Sequence, residues 1–409
     1  MNDWFRRLVT SIGLPALIGV GTGAVVAVLS TATEGVAIPA LAALPGLAPA
    51  AFSPLALLVT LAVVRFVTRS SEPATTELYL ETANAPEGRL PLRQIPGRVL
   101  AGVTTVAFGG SQGLESPSAL LGASLAQILG GGRFTLSQDE RRALLMAGAG
   151  AGIAAVFSSP GAGALYGMEI PFRRDVDARN LVPCAVAAAC GYGVRIAIAG
   201  PANLVVLDAA PEIDLAFVAG ALVVAVAAGL AARLFAEATS AARALARRGT
   251  PLSRAVLGGF VLAGLAAAGF ELTGSWISFG PGYVAAEWLG AATHPIGLLG
   301  LALLVRSAGT LVCVYGGGGG GVFTSLACTG VFVGWIVAGA LGIGGDAYAL
   351  LGAACVLGAA YHIPLATMFY VAESGGGVPF SMLGLVAVAL AQAIVADASV
   401  ATSQRDSRG

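Results

Sequence analysis

Residues 109–132 read GGSQGLESPSALLGASLAQILGGG, and they place one carboxylate, Glu115, inside a strongly apolar chain. The segment GLESP (113–117) interrupts an apolar run; Pro117 suits the first turn of a helix, and Ser116 is expected to cap that helix. The unpaired N–H groups and the positive dipole end at such a helix start form an anion site. Ionised glutamate is costly inside a membrane and usually functional there, so we interpret Glu115 as a carboxylate that competes with a bound anion or takes up a proton. The alternative is an ordinary acidic residue at the start of a surface helix.

The composition predicts a membrane protein that crosses the bilayer many times. The 409 residues are 56% hydrophobic and only 11% charged, whereas soluble domains have about 25% charged residues. The 58 glycines suit close packing of helices in lipid. A formal net charge of zero gives no indication of nucleic acid binding. The five cysteines form no CxxC pattern, and no catalytic motif is present, so the sequence predicts no metal site, no cofactor and no enzyme activity.

The lengths of the apolar runs favour a transporter or a channel over a simple bundle. Several runs, such as 98–109 and 347–360, are shorter than the roughly 20 helical residues that span a bilayer. Others are broken by proline or glycine at Pro160, at Pro364 and at residues 316–321. Broken helices are tolerated at membrane depth only where they line a cavity or are buried in protein.

An internal repeat supports this interpretation. The segments MAGAGAGIAAVFSSPGAGALYGMEIPF, from Met146, and LLGAACVLGAAYHIPLATMFYVAESGG, from Leu350, align without gaps. In this alignment Pro160 matches Pro364 and Glu169 matches Glu373, and a loop that opens a helix precedes each segment, GLESP (113–117) and GVFTS (321–325). We therefore predict one transmembrane domain (1–409) with inverted halves at 1–205 and 206–398 and a short polar tail at 399–409. Two such halves would bring the helix starts at Glu115 and Phe323 to one site.

With these residues in view, the chain resembles the CLC family of chloride channels and chloride/proton antiporters. GLESP (113–117) is similar to the family's Gly-[Lys/Arg]-Glu-Gly-Pro loop, and GGVFTSLACTG (320–330) is similar to its Gly-x-Phe-x-Pro loop and following helix. The resemblance implies an all-α membrane fold of about eighteen tilted or broken helices in two inverted-topology repeats. It also implies a homodimer with one anion path in each subunit and, here, no soluble regulatory domain.

Carried over position by position, the resemblance makes Glu115 the gating glutamate and Phe323 the phenylalanine of the anion path. Ser70, in the segment RSSEP (69–73), would supply an inner hydroxyl. The anion-binding residues that the resemblance implies are Ser70, Gly113, Ser116, Gly321, Val322, Phe323 and Thr324.

Three departures from the family pattern bear on the transported ion and on proton coupling. RSSEP (69–73) lacks both glycines of the family's Gly-Ser-Gly-Ile-Pro loop, and Ile170 stands where antiporters of the family carry an inner glutamate. No tyrosine lies near residues 399–400, where the family has one in its anion path. Glu169 is a candidate for a proton path together with Glu115; alternatively it pairs with Arg173 or Arg174.

The sequence thus predicts transport of a chloride-like anion, gated by Glu115 and either uncoupled or weakly coupled to protons. The alternatives are a secondary transporter or proton-coupled exchanger for bicarbonate, fluoride, nitrate or a small carboxylate, and a membrane scaffold without transport activity. The expected partners are an inorganic anion, protons in the coupled case, membrane lipid and a second copy of the chain. Arginines near both ends, at positions 6, 7, 405 and 408, favour cytoplasmic termini in a bacterial plasma membrane. The glycine run 316–321 is either a flexible linker or a backbone cradle for an anion.

Overall fold

The structure is a computed structural model that describes residues 3–70, 75–131 and 136–407. Helices account for all the regular secondary structure in these residues. Extended pairing is limited there to two isolated bridges, Gly113 with Gly321 and Phe172 with Arg405. The predicted all-α fold is therefore confirmed.

Eighteen α-helices follow one another in the described residues. The first nine are α1 (Asp3–Leu8), α2 (Leu14–Ser30), α3 (Ile38–Ala42), α4 (Ala48–Ala62), α5 (Thr76–Asn84), α6 (Ile95–Ala107), α7 (Glu115–Gly130), α8 (Gln138–Phe157) and α9 (Pro160–Glu169). The other nine are α10 (Leu181–Ala199), α11 (Leu215–Ala246), α12 (Pro251–Thr273), α13 (Tyr283–Ala291), α14 (Ile296–Gly316), α15 (Phe323–Leu341), α16 (Asp346–Tyr361), α17 (Pro364–Val371) and α18 (Gly377–Val395). Four π-helical segments extend or join these helices: Val9–Gly13, Thr31–Ala37, Val63–Thr68 and Ala372–Gly376.

Eight helical segments in the described part of the chain are long and apolar enough to cross a membrane. The longest are Arg6–Ala42, Leu215–Ala246 and Pro364–Val395. Two helices outside this set, α8 and the 16-residue α16, lie in the interior, where most of their residues are buried in protein. This arrangement agrees with the prediction of short, broken helices inside a protein that crosses the membrane many times.

Glycines allow the interior helices to pack with their backbones in close approach. A Cβ atom on Gly122 of α7 would collide with the carbonyl oxygen of Gly148 of α8. In the same way, a Cβ on Gly330 of α15 would collide with the carbonyl oxygen of Gly352 of α16. Without side chains at these crossings, the backbones of α7 and α8, and those of α15 and α16, lie in direct contact in the protein interior.

Candidate functional site

Two loops cross at the centre of the candidate site and bring the starts of α7 and α15 together. Gly113 N–H donates to Gly321 O at 2.9 Å, and Gly321 N–H donates to Gly113 O at 2.8 Å. Glu115 and Phe323, the first residues of the two helices, therefore lie on either side of one crossing point. The same pairing occupies the N–H groups of Gly113 and Gly321, and anion binding at these two residues stays a prediction.

The glycine run 316–321 is neither a flexible linker nor a cradle of free amides. Gly318 N–H donates to Cys313 O at 2.8 Å, and Gly319 N–H donates to Thr105 Oγ1 at 2.9 Å. Gly320 N–H donates to Gln112 Oε1 at 3.2 Å. Carbonyl and side-chain oxygens of the protein thus hold this loop in place. The N–H groups at the start of α15, from Val322 to Thr324, lie outside the glycine run.

Glu115 is almost fully buried at the crossing point, with 1% of its surface exposed. The hydroxyl of Thr324 donates a hydrogen bond to Glu115 Oε1. Among the described residues, Glu115 Oε2 has no hydrogen-bond partner. A Cβ on either Gly113 or Gly321 would collide with this carboxylate, so the two glycines leave the room that the side chain occupies.

The expected cap of α7 is wrong, because the helix begins two residues earlier than a Ser116 cap would place it. Leu114 is the cap residue and makes no side-chain cap bond, while Ser116 lies within the first turn together with Pro117. Ser116 Oγ instead accepts a hydrogen bond of 2.6 Å from Thr76 Oγ1 of α5. Sequence reasoning missed Thr76, which lies in a polar connection without a recognisable motif.

Phe323 lies within an aromatic cluster formed by Phe157, Tyr166, Tyr361 and Tyr370. Its ring centroid lies 5.0 Å from that of Phe157, 5.6 Å from that of Tyr166 and 5.3 Å from that of Tyr361, and Tyr370 contacts Phe157 at 5.8 Å. Phe157, Tyr166, Phe323 and Tyr370 line a cavity of about 10 Å³, roughly the room that one water molecule needs. The cluster therefore leaves little free space beside Phe323.

Tyr361 stands close to where the sequence comparison expected, and did not find, a tyrosine. Val400 N–H donates to Ala360 O at 3.0 Å, and Ser399 Oγ donates to the same oxygen at 3.3 Å. Residues 399–400 therefore pack on the end of α16, next to Tyr361, whose ring contacts Phe323. The available signal was the internal repeat, in which Tyr361 aligns with Phe157.

Ser70 contacts a different element of the fold. Its hydroxyl accepts a hydrogen bond of 3.0 Å from Arg98 Nη2 of α6. The preceding residue, Arg69, has a positive φ of 54° and ends the π-helical segment Val63–Thr68. The remainder of the RSSEP segment, including Glu72 and Pro73, lies outside the described residues.

Glu169 and Glu373 each accept hydrogen bonds at the start of the other's helix. Glu169, at the end of α9, accepts from Leu365 N–H at 3.0 Å and from Ala366 N–H at 2.9 Å in the first turn of α17. Glu373, just after α17, accepts from Gly161 N–H at 2.7 Å in the first turn of α9. Each carboxylate thus lies at the favourable, positive end of an antiparallel partner helix.

The alternative prediction of an arginine partner for Glu169 is therefore wrong. Arg174 pairs instead with Asp397, at a distance of 2.8 Å on an exposed surface. Ile170, which follows Glu169, is fully buried, and its carbonyl accepts from Gln404 Nε2 at 2.9 Å. The position after Glu169 thus holds an apolar side chain in the protein interior.

Arg306 is a buried cation that sequence reasoning missed. It is 1% exposed and donates to Ile277 O at 2.8 Å and to Gly280 O at 2.9 Å. Its charge attracts that of Glu115. The available signal was a single arginine within the apolar run 293–313.

Comparison with known proteins identifies the family. The model of the family described as voltage gated chloride channel matches residues 55–396, which is most of the chain. The chain belongs to the CLC family. Among the described residues, no group of three or more His, Cys, Asp or Glu side chains could hold a metal ion.

Two curated bacterial proteins are similar to this CLC protein in sequence. A chloride/fluoride channel protein of Pseudomonas syringae pv. tomato is 33% identical over 175 residues, 43% of this chain and 38% of the relative. A putative chloride channel protein ClcB-like of Ralstonia nicotianae is 29% identical over 323 residues, 73% of this chain and 70% of the relative. The aligned part thus spans less than half the length of the first relative.

Solved structures of other CLC proteins share the fold. A crystal structure of a CLC-type fluoride/proton antiporter superposes with a TM-score of 0.84 at 23% identity, covering 99% of this chain and 100% of that one. A slow cyanobacterial Cl⁻/H⁺ antiporter gives a TM-score of 0.81 at 19% identity, with 94% of both chains covered. At these identities the likeness establishes a CLC-like membrane fold.

Proposed function

We propose that this CLC protein carries a small, chloride-like anion across a membrane, along a path that passes Glu115 and Phe323. The observation that supports this proposal is the carboxylate of Glu115, which is buried at two helix starts and has one oxygen without a hydrogen-bond partner among the described residues. Helix N-termini and peptide N–H groups can replace the hydration shell of an anion without a full fixed charge, so binding stays weak enough for release.

Glu115 acts as the gate in this proposal. Its carboxylate occupies the space in front of Gly113 and Gly321, where an anion would meet the amides that start α15. When Glu115 takes up a proton, its side chain becomes neutral and no charged oxygen requires the Thr324 hydroxyl as a donor. The side chain can then leave the crossing point. Acidification therefore opens the path.

Proton coupling is absent or weak in this proposal. Ile170 offers no acid beside Glu169, and Glu169 is held by two backbone N–H groups of α17. A carboxylate with a donor on each oxygen is held in place, so its side chain is less free to move with a proton. Glu169 remains a proton-path candidate together with Glu115, because Tyr166, one helical turn before Glu169, contacts Phe323.

Fluoride exchange with protons is the second candidate function. The curated relative from Pseudomonas is named a chloride/fluoride channel protein, and one structural neighbour is a fluoride/proton antiporter. Fluoride is the smaller and more strongly hydrated halide, and hydroxyl groups suit it as hydrogen-bond donors. Thr324 and the Thr76–Ser116 pair supply hydroxyls close to Glu115. Bicarbonate, nitrate and small carboxylates stay open as substrates, and a scaffold without transport predicts no flux of any anion.

The test is anion efflux from liposomes that contain the purified protein, with chloride or fluoride inside and the external pH recorded. Chloride efflux without linked proton movement supports the first candidate, and fluoride efflux with stoichiometric proton uptake supports the second. The variant Glu115→Gln provides the control for the gate, since its flux should not depend on pH. Absence of flux for every anion would contradict transport.

We further propose that the chain forms a homodimer in a bacterial plasma membrane with both termini in the cytoplasm, and that residues 1–205 and 206–398 are inverted repeats. The matching helix pairs α7–α8 and α15–α16, and the mutual contacts of Glu169 and Glu373, support the repeat. Chemical crosslinking in native membranes tests the dimer. Protease protection of tags at the two ends tests the orientation.

A further inference from the structure

A large cavity lies on the same face of the protein as the N-terminus. Its volume is about 640 Å³, within the range of cavities that hold small molecules. The end of α5 with the turn after it, the end of α7 and the start of α8 form its walls. Arg6 pairs with Glu140 in the first turn of α8, so the N-terminal helix α1 lies on this face as well.

The helix α5 separates this cavity from the candidate anion path. Thr76, at the start of α5, donates to Ser116 beside Glu115, whereas Thr82 and Asn84, at the end of α5, line the cavity. The rise from Thr76 to Asn84 along the helix is about 12 Å. The cavity is therefore a different place in the molecule from the crossing point of α7 and α15.

More positive than negative groups line the cavity. Its four arginines and two carboxylates are Arg89, Arg141, Arg142, Arg405, Glu87 and Asp139. None of the four arginines forms an ion pair with another residue of the described ranges. Unpaired guanidinium groups around a concave space attract an anion, and their planar arrangement of N–H groups suits the oxygens of a phosphate.

Arg142 is the least exposed of these arginines. Its side chain is half-buried, whereas the other three residues are exposed. Its guanidinium lies over the ring of Phe172, 5.6 Å from the ring centroid, and its Nε and Nη2 atoms are buried without a hydrogen-bond partner in the part of the chain that the structure describes. The ring holds the group in position but supplies no oxygen acceptor. An anion in the cavity would offset the cost of desolvating this charge.

Asn84 adds a hydrogen-bond acceptor to the wall. Its Nδ2 donates to Pro171 O and to Ser403 O, each at 3.1 Å. Its Oδ1 is buried and has no hydrogen-bond partner among the described residues. An amide oxygen accepts from a hydroxyl group and is not a donor to an anion. The cavity thus combines donors for a phosphate with an acceptor for a hydroxyl of the same ligand.

Hydrogen bonds fix the walls of the cavity. Gln127 of α7 accepts from Leu90 N–H at 2.7 Å and donates to Leu90 O at 2.9 Å, which holds the turn after α5 against α7. Arg405 N–H donates to Pro171 O at 3.0 Å, and Arg405 O accepts from Arg173 N–H at 2.7 Å. A preformed cavity loses little conformational freedom when a ligand binds.

We propose that this cavity binds a phosphate ester that carries free hydroxyl groups. The arginines bind the phosphate oxygens, with Arg142 as the least exposed donor, and the Asn84 amide oxygen accepts from a hydroxyl. A soluble nucleotide and the head group of phosphatidylglycerol both have this chemistry. The site goes beyond the proposed function, because it lies outside the anion path and does not depend on which anion is transported.

Titration calorimetry of the full chain in phosphatidylcholine nanodiscs, with ADP as the probe, tests the soluble source. ADP should bind, whereas adenosine, which lacks the phosphates, should not. Arg142→Gln removes a charged donor and should weaken ADP binding about tenfold or more. Ala85→Trp fills part of the cavity without a change of charge, because the exposed Ala85 lines it, and it should weaken ADP binding as well. This second variant keeps the test decisive if Arg142→Gln does not fold.

Native mass spectrometry tests the lipid source. The protein is exchanged into a mixture of phosphatidylglycerol and phosphatidylcholine, and phosphatidylglycerol should be retained selectively. The retained lipid should be lost in Arg142→Gln and in Ala85→Trp. Retention without ADP binding identifies the head group as the ligand, and ADP binding without retention identifies the soluble ester.

Arg248→Gln is the matched control, because Arg248 is an exposed arginine just after the end of α11 and does not line the cavity. It should leave the binding of both probes unchanged. Full affinity in either Arg142→Gln or Ala85→Trp, or adenosine binding as tight as that of ADP, would overturn the proposal. Absence of binding for both ADP and phosphatidylglycerol would overturn it too.

Discussion

Two meeting points of short helices in this protein use carboxylates in different ways. Where α9 and α17 meet, Glu169 accepts two backbone N–H groups and Glu373 accepts from the start of α9. Where α7 and α15 meet, Glu115 accepts from the Thr324 hydroxyl and has a second oxygen without a hydrogen-bond partner in the described residues. At the first meeting point the two carboxylates complete the caps of two helices, whereas at the second the hydrogen bonding of the carboxylate is incomplete.

The comparison teaches that burial alone does not separate a structural carboxylate from one that moves. Glu169 is 4% exposed and Glu115 is 1% exposed, so water reaches neither side chain freely. They differ in how the donors are distributed: each oxygen of Glu169 has a donor, whereas Glu115 Oε2 has none among the described residues. A buried oxygen without a donor retains the cost of its desolvation, and this cost favours either protonation or departure from the site.

The largest effect is expected for Glu115→Gln, because it replaces the incompletely bonded carboxylate by a neutral group. Flux should lose its pH dependence and rise about tenfold or more at alkaline pH, since each pH unit above the midpoint closes the unchanged protein tenfold. Liposome efflux between pH 5 and 9 measures this. The matched control is Glu373→Gln, whose flux should keep the pH dependence of the unchanged protein. A flux of Glu373→Gln that did not depend on pH would contradict the distinction between the two meeting points.

The next effect is a loss of stability at the completed caps. Glu169→Ala leaves one buried and one partly buried N–H group of α17 without an acceptor and should lower the free energy of unfolding by about 2–3 kcal/mol. Glu373 is exposed, so water replaces part of its contribution, and Glu373→Ala should cost only about 1 kcal/mol. Thermal unfolding in detergent compares the two variants. Equal losses would show that burial does not set the strength of the cap.

Much of the helical architecture could be predicted because its signals are local in the sequence. Pro160 and Pro364 begin α9 and α17, and Phe323 begins α15, as proline, glycine and apolar run lengths indicated. The partners of Glu169 could not be predicted, because they lie 196 and 197 residues further along the chain. The sequence suggested Arg173 or Arg174 as the positively charged partner of Glu169, because both lie close to it along the chain. Neither pairs with it in the structure.

The residues of the candidate site were predicted better than their hydrogen bonds. The repeat placed Glu115 and Phe323 together, but it could not show that Gly113 and Gly321 use their amides on each other. Ser116 was expected to act as a cap because it precedes a proline, yet the helix start is set by the crossing of the two loops. Arg306 stayed unnoticed, because its partners are carbonyl oxygens that have no sequence signature.

A smaller effect is expected for Thr324→Val, which removes the hydroxyl that donates to Glu115 and nearly keeps the volume. The ionised form of Glu115 loses its hydrogen bond, so Glu115 becomes protonated at higher pH. The midpoint of the flux–pH curve should move to more alkaline pH by about one unit, the value of a hydrogen bond to a charged group. Thr324→Ser keeps a hydroxyl and should keep the midpoint. A midpoint that Thr324→Val leaves unchanged would mean that this donor does not hold the gate.

The smallest effect concerns Glu140, a carboxylate at a helix start that faces water. It accepts from Ser137 N–H at 2.7 Å at the start of α8 and from Arg6 Nη2 at 2.6 Å. The Arg6 guanidinium holds the pKa of Glu140 below its ordinary value of 4.5. The stabilisation is therefore fully present above that value and is lost as the pH falls through the lower value of the folded state.

Glu140→Gln should lower the free energy of unfolding at pH 7 by no more than about 1 kcal/mol, because Arg6 is 40% and Glu140 23% exposed. The difference from the unchanged protein should vanish once the pH falls below the lowered pKa of Glu140, where both forms carry a neutral group at this position. Asp139→Asn, one residue away in the same helical turn, is the control for the loss of a charge without this ion pair. Suppose Glu140→Gln lowered the free energy of unfolding as much as Glu169→Ala. Exposure to water would then not weaken a carboxylate cap. The difference between the two meeting points would need a cause other than the hydrogen-bond donors of each carboxylate oxygen.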